Sequence, residues 1–207
     1  MANTFFASDY DQVQVGGDFQ ALPAGGYVCR ILKAKASRSG KGLPMVEAMI
    51  DIIDGDYTQY FSKRYQSNLK KYPTNAKYPN NGIIRVTAVD EEGHTQPNFK
   101  SFNTSIEESN DMQLPRHDEA YIKALKDKEI GVIFGREEFM GNDGKTHWTT
   151  KPRWYRSVET IMSGDYQVPE DQPYDGYVPS QTGSFDTFTP NPETDSFNAV
   201  MDDIPFK

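Results

Sequence analysis

Apolar and polar positions alternate most cleanly between Met45 and Ile53, where Val46, Ala48, Ile50 and Ile52 share one face and Glu47 and Asp51 the other. A period of two is the spacing of a half-buried strand. Similar patterns predict strands over 27–36, 57–65, 130–140 and 146–156. Asp54-Gly55 signals a hairpin between the second and third of these, and Gly141-Asn142-Asp143-Gly144 one between the last two. Phe99, Phe102 and Ile106 recur at helical steps behind Pro97, which suits a first turn, so a helix is predicted over 97–110. A second is predicted over 118–128 with Tyr121, Ile122 and Leu125 inward, and a last helical turn over 157–163. An arm over 1–25 precedes the strands. Residues 66–95, rich in Asn, Lys, Pro and Tyr, read as a long insertion with one short strand over 83–89.

Three strands, a helix and two strands is the order of an OB-fold, a mainly β, five-stranded Greek-key β-barrel with a helix between strands three and four. This barrel is expected to occupy residues 1–167. From 168 to 207 the pattern dissolves: six of the 13 prolines fall here, and the aromatics Tyr174, Tyr177, Phe185, Phe188 and Phe197 follow neither period. Such composition predicts a disordered tail.

Composition sharpens this division. Mean hydropathy is −0.72, low for a chain packed throughout. The single cysteine, Cys29, excludes an intramolecular disulfide and suits a reducing compartment. No run approaches the roughly 20 apolar residues of a membrane span, and the first residues lack a basic then apolar leader. A cytoplasmic protein with no membrane partner is expected.

Charge changes the picture most. A net charge of −8 argues against nucleic acid, but residues 168–207 hold eight acids against Lys207 alone, leaving 22 acids and 21 bases elsewhere. Three windows contain no acid. Residues 26–44 carry Arg30, Lys33, Lys35, Arg38 and Lys41. Residues 61–82 carry Lys63, Arg64, Lys70, Lys71 and Lys77 among Phe61, Tyr65, Tyr72 and Tyr78. Residues 145–156 carry Lys145, Lys151, Arg153 and Arg156 among His147, Trp148, Trp154 and Tyr155. On an OB barrel the three map to the oligonucleotide-binding face and its flanking loops. Cations neutralise phosphates without reading sequence, and exposed rings stack on unpaired bases. The helix at 97–110, with one lysine and two glutamates, is a poor duplex reader. Strict alternation puts Trp148 and Trp154 on one face of the last strand and His147, Lys151, Arg153 and Tyr155 on the other. With one face in the core, Tyr155 is the better binding candidate and at least one tryptophan is structural.

Other signals are discounted. Ser39-Gly40-Lys41-Gly42 lacks the first glycine of a phosphate loop. His94, His117, His147 and Cys29 have no metal-ligand spacing. Asp51, Asp54 and Asp56 read as a solvated hairpin rather than a nuclease metal cluster, and Asn103-Thr104-Ser105 as a helical segment rather than a glycosylation site. No catalytic residue, metal or cofactor is expected.

The terminal "MDDIPF" at 201–206 closely matches the tail tip of bacterial single-stranded DNA-binding proteins. "KEIGVIFGREEFMGNDGK" and "SVETIMSGDYQVP", within 128–169, are similar to bacteriophage-encoded members. The resemblance implies a protein that coats single-stranded DNA in replication, recombination or repair, commonly as a homo-oligomer, in the host cytoplasm if phage-encoded. It also implies that Asp202, Asp203, Ile204, Pro205 and Phe206 recruit replication or recombination proteins. Ile204 and Phe206 suit an apolar pocket, Pro205 limits the entropy lost on binding, and the acids suit a basic rim. Lys207 departs from the pattern, because the family tip ends at phenylalanine. Two other readings stay open: a strand-annealing recombination factor, and a protein–protein adaptor on an OB scaffold.

Overall fold

The structure, a computed structural model, describes residues 20–175. The arm over 1–19 and the tail over 176–207, with its tip at Asp202–Phe206, lie outside the described residues. Five antiparallel strands form one sheet in the order β3-β2-β1-β4-β5. They are β1 (Gly25–Arg38), β2 (Pro44–Ile52), β3 (Ile83–Thr87), β4 (Glu129–Met140) and β5 (Thr146–Arg156). Among the described residues four α-helices accompany them: α1 (Tyr60–Lys71), α2 (Pro97–Ser109), α3 (Asp118–Leu125) and α4 (Val158–Ser163).

The first two and last two strands stand where alternation predicts them, and α2, α3 and α4 match the three predicted helical segments. The third predicted strand is a correction. Residues 57–65 turn into α1, and the third strand is 83–87, inside the stretch read as an insertion. The helix sits there because Phe61, Tyr65 and Leu69, four residues apart, meet the core on one face. Its N-terminus is held from outside: the Asp51 carboxylate of β2 accepts the Phe61 amide at 3.0 Å and the Ser62 amide at 3.1 Å. Asp51, expected in a solvated hairpin, is therefore buried. Burial pushes its carboxyl pKa up, against the pull of these hydrogen bonds.

β1 is shared between two partners. Gly25–Arg30 pair with Phe134–Glu129 of β4, and Cys29–Arg38 with Ile52–Pro44 of β2. A bulge between Ile31 and Lys33 marks the handover. There the α3–β4 loop replaces β4, with the Ile31 amide donating to the Lys128 carbonyl and the Asp127 amide to the Ile31 carbonyl, both at 2.8 Å.

The sheet is open, with no pairing between β3 and β5 among the described residues. Its two edges nevertheless lie against one helix, since α2 packs on β3, β4 and β5. Phe102 and Ile106 of α2 enter a core with Ile31, Ile50, Ile84, Ile130, Phe134 and Tyr155. A smaller cluster, Val28, Ile133 and Ile161, lies under α4. Residues 168–175, assigned from composition to the tail, begin on the body. The Gln172 amide donates to the Arg136 carbonyl at 3.0 Å, and the Glu138 amide to the Gln172 carbonyl at 2.8 Å. They bridge to Glu137, within the half of β4 that β1 leaves unpaired.

Candidate nucleic-acid interface

The β4–β5 hairpin closes at Gly141–Lys145, where the Gly141 amide donates to the Lys145 carbonyl at 2.8 Å and Gly144 takes φ +72°. Below this turn a register shift leaves Arg153 as an extra residue of β5, because Phe134 opposes Pro152 and Ile133 opposes Trp154. The shift inverts the alternation. Tyr155 opposes Val132 and is buried, its ring edge-on to Phe102 at 5.3 Å, and burial pushes its phenol pKa up. Both tryptophans are 42% exposed, and the shift puts them on opposite faces of the hairpin. Tyr155, the expected binding candidate, is thus a core residue, and both tryptophans, of which at least one was expected in the core, are exposed.

Trp148 and Thr150 of β5, Arg136 of β4, Tyr60 and Arg64 of α1, Asn81 and residues 21–24 line a cleft of about 510 Å³. The Arg136 guanidinium lies over the indole of Trp148, 4.6 Å from the ring centroid. The arm that forms one wall is pinned on both sides. The Thr150 hydroxyl donates to the Leu22 carbonyl at 2.6 Å, and the Tyr60 hydroxyl to the Gln20 carbonyl at 3.1 Å.

A second cleft, about 420 Å³, lies on the other face between Trp154, Arg156, Gly164, Asp165, Tyr166 and Gln167. A third hollow, about 510 Å³, flanks the β1–β2 loop and includes Ser39, Lys41, Arg85, Gln96 and Asn98.

The three acid-free windows do not share one cleft. Arg64 from the second and Trp148 from the third share the first cleft, whereas Lys41 from the first lines the hollow by the β1–β2 loop. Phe61 and Tyr65, expected to stack on bases, are core residues, and Tyr78 is buried with its hydroxyl donating to the Ile50 carbonyl at 2.9 Å. Tyr72 is 54% exposed at the end of α1, beside Lys70 and with the Lys71 ammonium 5.4 Å from its ring centroid.

Several of the expected phosphate ligands have carboxylate partners. Arg30 meets Glu129 at 2.8 Å and Lys41 meets Glu91 at 2.7 Å. Lys151 and Arg153 converge on Glu137 at 2.6 and 2.5 Å. Partial burial raises the Glu137 carboxyl pKa, but hydrogen bonds and charge from these two cations outweigh it and hold the group below its ordinary value. Arg38 and Lys63 donate to the carbonyls of Gly42 and Thr58. On β1, burial and then the neighbouring Lys35 lower the Lys33 ammonium pKa. At the hairpin tip, beside exposed Lys145, His147 Nε2 lies 3.0 Å from Asp143 Oδ1.

Arg136 stands beside Glu137 and Glu138, so no acid-free window contains it. Its signal is cross-strand: it opposes Thr150, diagonal to Trp148. Among the described residues, Asp90, Glu92 and His94 could hold a cation by proximity. They form an ordinary turn in which Asp90 Oδ1 accepts the Glu92 and His94 amides. No helix among the described residues is long and apolar enough to cross a membrane. No protein-family model matches the chain, and no curated protein matches it.

Proposed function

We propose that the protein is a non-catalytic, sequence-tolerant single-stranded DNA-binding protein. The observation that carries this is the Trp148 cleft: an exposed indole with one guanidinium over it and a second, Arg64, in the same wall. An unpaired base offers a face to such a platform, and its phosphates meet Arg64 directly and Arg136 in exchange for the Asp171 carboxylate, which that guanidinium meets at 3.0 Å. Duplex DNA stacks those faces away. The long β1 shared between β2 and β4, and a helix after β3 lying against both sheet edges, support an OB-like scaffold for it. The resemblance of "MDDIPF" adds recruitment of replication or recombination partners through Asp202–Phe206.

Titration of intrinsic tryptophan fluorescence with oligo-dT, at two salt concentrations and against duplex competitor, tests the reading. Salt-sensitive quenching that duplex does not compete away is the expected result. Absence of quenching together with absence of binding to labelled oligo-dT overturns it and favours the adaptor reading. Trp148→Ala is expected to weaken oligo-dT binding about 5- to 150-fold, the equivalent of about 1–3 kcal/mol for one stacked base.

The paired cations make a further prediction. Glu137→Gln removes the charge shared by Lys151 and Arg153 and frees both for phosphate. The slope of log K against log salt then steepens by up to about 1.4, at about 0.7 per neutralised single-strand phosphate. An unchanged slope places both cations off the DNA path.

A further inference from the structure

We propose that a bound single strand uses both faces of the β4–β5 hairpin, with Trp154, Tyr166 and Arg156 forming a second base-stacking cleft separate from that of Trp148. The proposal rests on the single-strand reading above and specifies the path. The register shift at Arg153 sends the two indoles to opposite faces of one strand, and each opens into its own cleft. β5 ends the strand order, with no strand paired beyond it among the described residues. A nucleic-acid strand can therefore pass over that edge from one cleft to the other.

The second cleft is held in shape. Its far wall follows α4, which is fixed at its start by Ser157, whose hydroxyl accepts the Thr160 amide at 3.3 Å. Gly164, in the left-handed region at φ +74°, ends the helix and turns the chain. The Tyr166 amide then donates to the Gly164 carbonyl at 2.9 Å. The Tyr166 ring lies so close to Gly26 that a Cβ there would sit 2.5 Å from its Cζ. Ile161 anchors the helix from beneath in the cluster with Val28 and Ile133. A site fixed in this way loses little entropy on binding.

The lining selects a nucleotide rather than a bare anion. Trp154 and Tyr166 offer aromatic surface for a base. Arg156 spends one N–H on the Tyr155 carbonyl at 2.7 Å, and its guanidinium has other donors for a phosphate. Asp165 repels a free anion but accepts from a base N–H, such as the ring N3–H of thymine, and Gln167 both donates and accepts. From Trp148 to Trp154 the strand advances about 17–20 Å, so filling both clefts needs several nucleotides.

The chain contains two tryptophans, so each can be read alone. Trp148→Phe leaves Trp154 as the only indole, and Trp154→Phe leaves Trp148. With an oligo-dT of about 12 nucleotides, inside the span of about 4–16 that one OB module covers, both variants are expected to show quenching. Trp154→Ala, with Trp148 intact, is expected to bind a labelled oligo-dT about 5- to 150-fold more weakly. If Trp148 responds while Trp154 stays silent and Trp154→Ala binds within about twofold of the parent, the second cleft is overturned and the single-strand reading stands. If neither indole responds and no labelled oligonucleotide binds, the single-strand reading itself falls, and the second cleft with it.

Discussion

Phe61→Ala is expected to lower the stability of the fold by about 3–5 kcal/mol, the range for removing a large buried ring. The side chain is fully buried and stacks on Phe134 of β4 with centroids 6.0 Å apart. It also meets Tyr60 edge-on at 5.2 Å and Tyr78 at 6.4 Å. Truncation leaves a cavity between α1 and the sheet that three rings cannot fill without leaving their own contacts. Urea denaturation followed by far-UV circular dichroism measures the loss. A stacking residue on the DNA would behave in the opposite way, with reduced affinity and an unchanged denaturation midpoint. A loss below about 1 kcal/mol would place Phe61 outside the core.

Asp51→Ala is expected to cost about 2–4 kcal/mol, because it orphans three buried amides: Ile52, Phe61 and Ser62. No side chain of the helix's own N-cap residue, Gln59, substitutes for it. Asp51→Asn keeps an acceptor for Ile52 and Phe61 and is expected to lose less. The pair also predicts a pH dependence. Burial raises the folded-state pKa of Asp51 above its unfolded value of about 3.9, so the folded chain holds the proton to higher pH than the unfolded chain. Stability of the parent relative to Asp51→Asn therefore falls as pH rises from about 3.9 through the folded pKa, and is flat above it. Denaturation of both proteins across the acid range checks the sign. A rising difference would mean that the helix N-terminus stabilises the carboxylate more than burial opposes it.

These two residues also show where the sequence was legible. The strands of β1, β2, β4 and β5 could be read because alternation and turn glycines agree there. Tyr57–Tyr65 is aromatic-rich, and that composition favours strands on propensity alone. The competing signal, Phe61, Tyr65 and Leu69 at four-residue steps, spans beyond that window and was cut off by its boundary. Asp51 looked like one of three solvated acids because its partners, the amides of α1, exist only once that segment is helical. In the candidate site the difference is one residue: with Arg153 inserted in β5, Tyr155 shares the face of Trp148 and Trp154 lies on the opposite one, where strict alternation pairs the two tryptophans. Arg136 joins Trp148 only through pairing across the hairpin, which a charge count along the chain does not contain.

The division of β1 between two neighbours has a consequence for how the chain acquires its shape. The pairing with β2 is local and can form as a hairpin in about 1–10 μs. The pairing with β4 joins residues such as Arg30 and Glu129, 99 positions apart. At synthesis rates of about 5–20 residues per second, Gly25–Arg30 waits about 5–20 s for its second partner. Through that interval the nascent chain carries a strand with an open hydrogen-bonding edge. Gly25 and Gly26 weaken the segment as a template at one end, and the charge of Arg30 does so at the other. The residues that later receive β4 are therefore also poor ones for a neighbouring nascent chain to join.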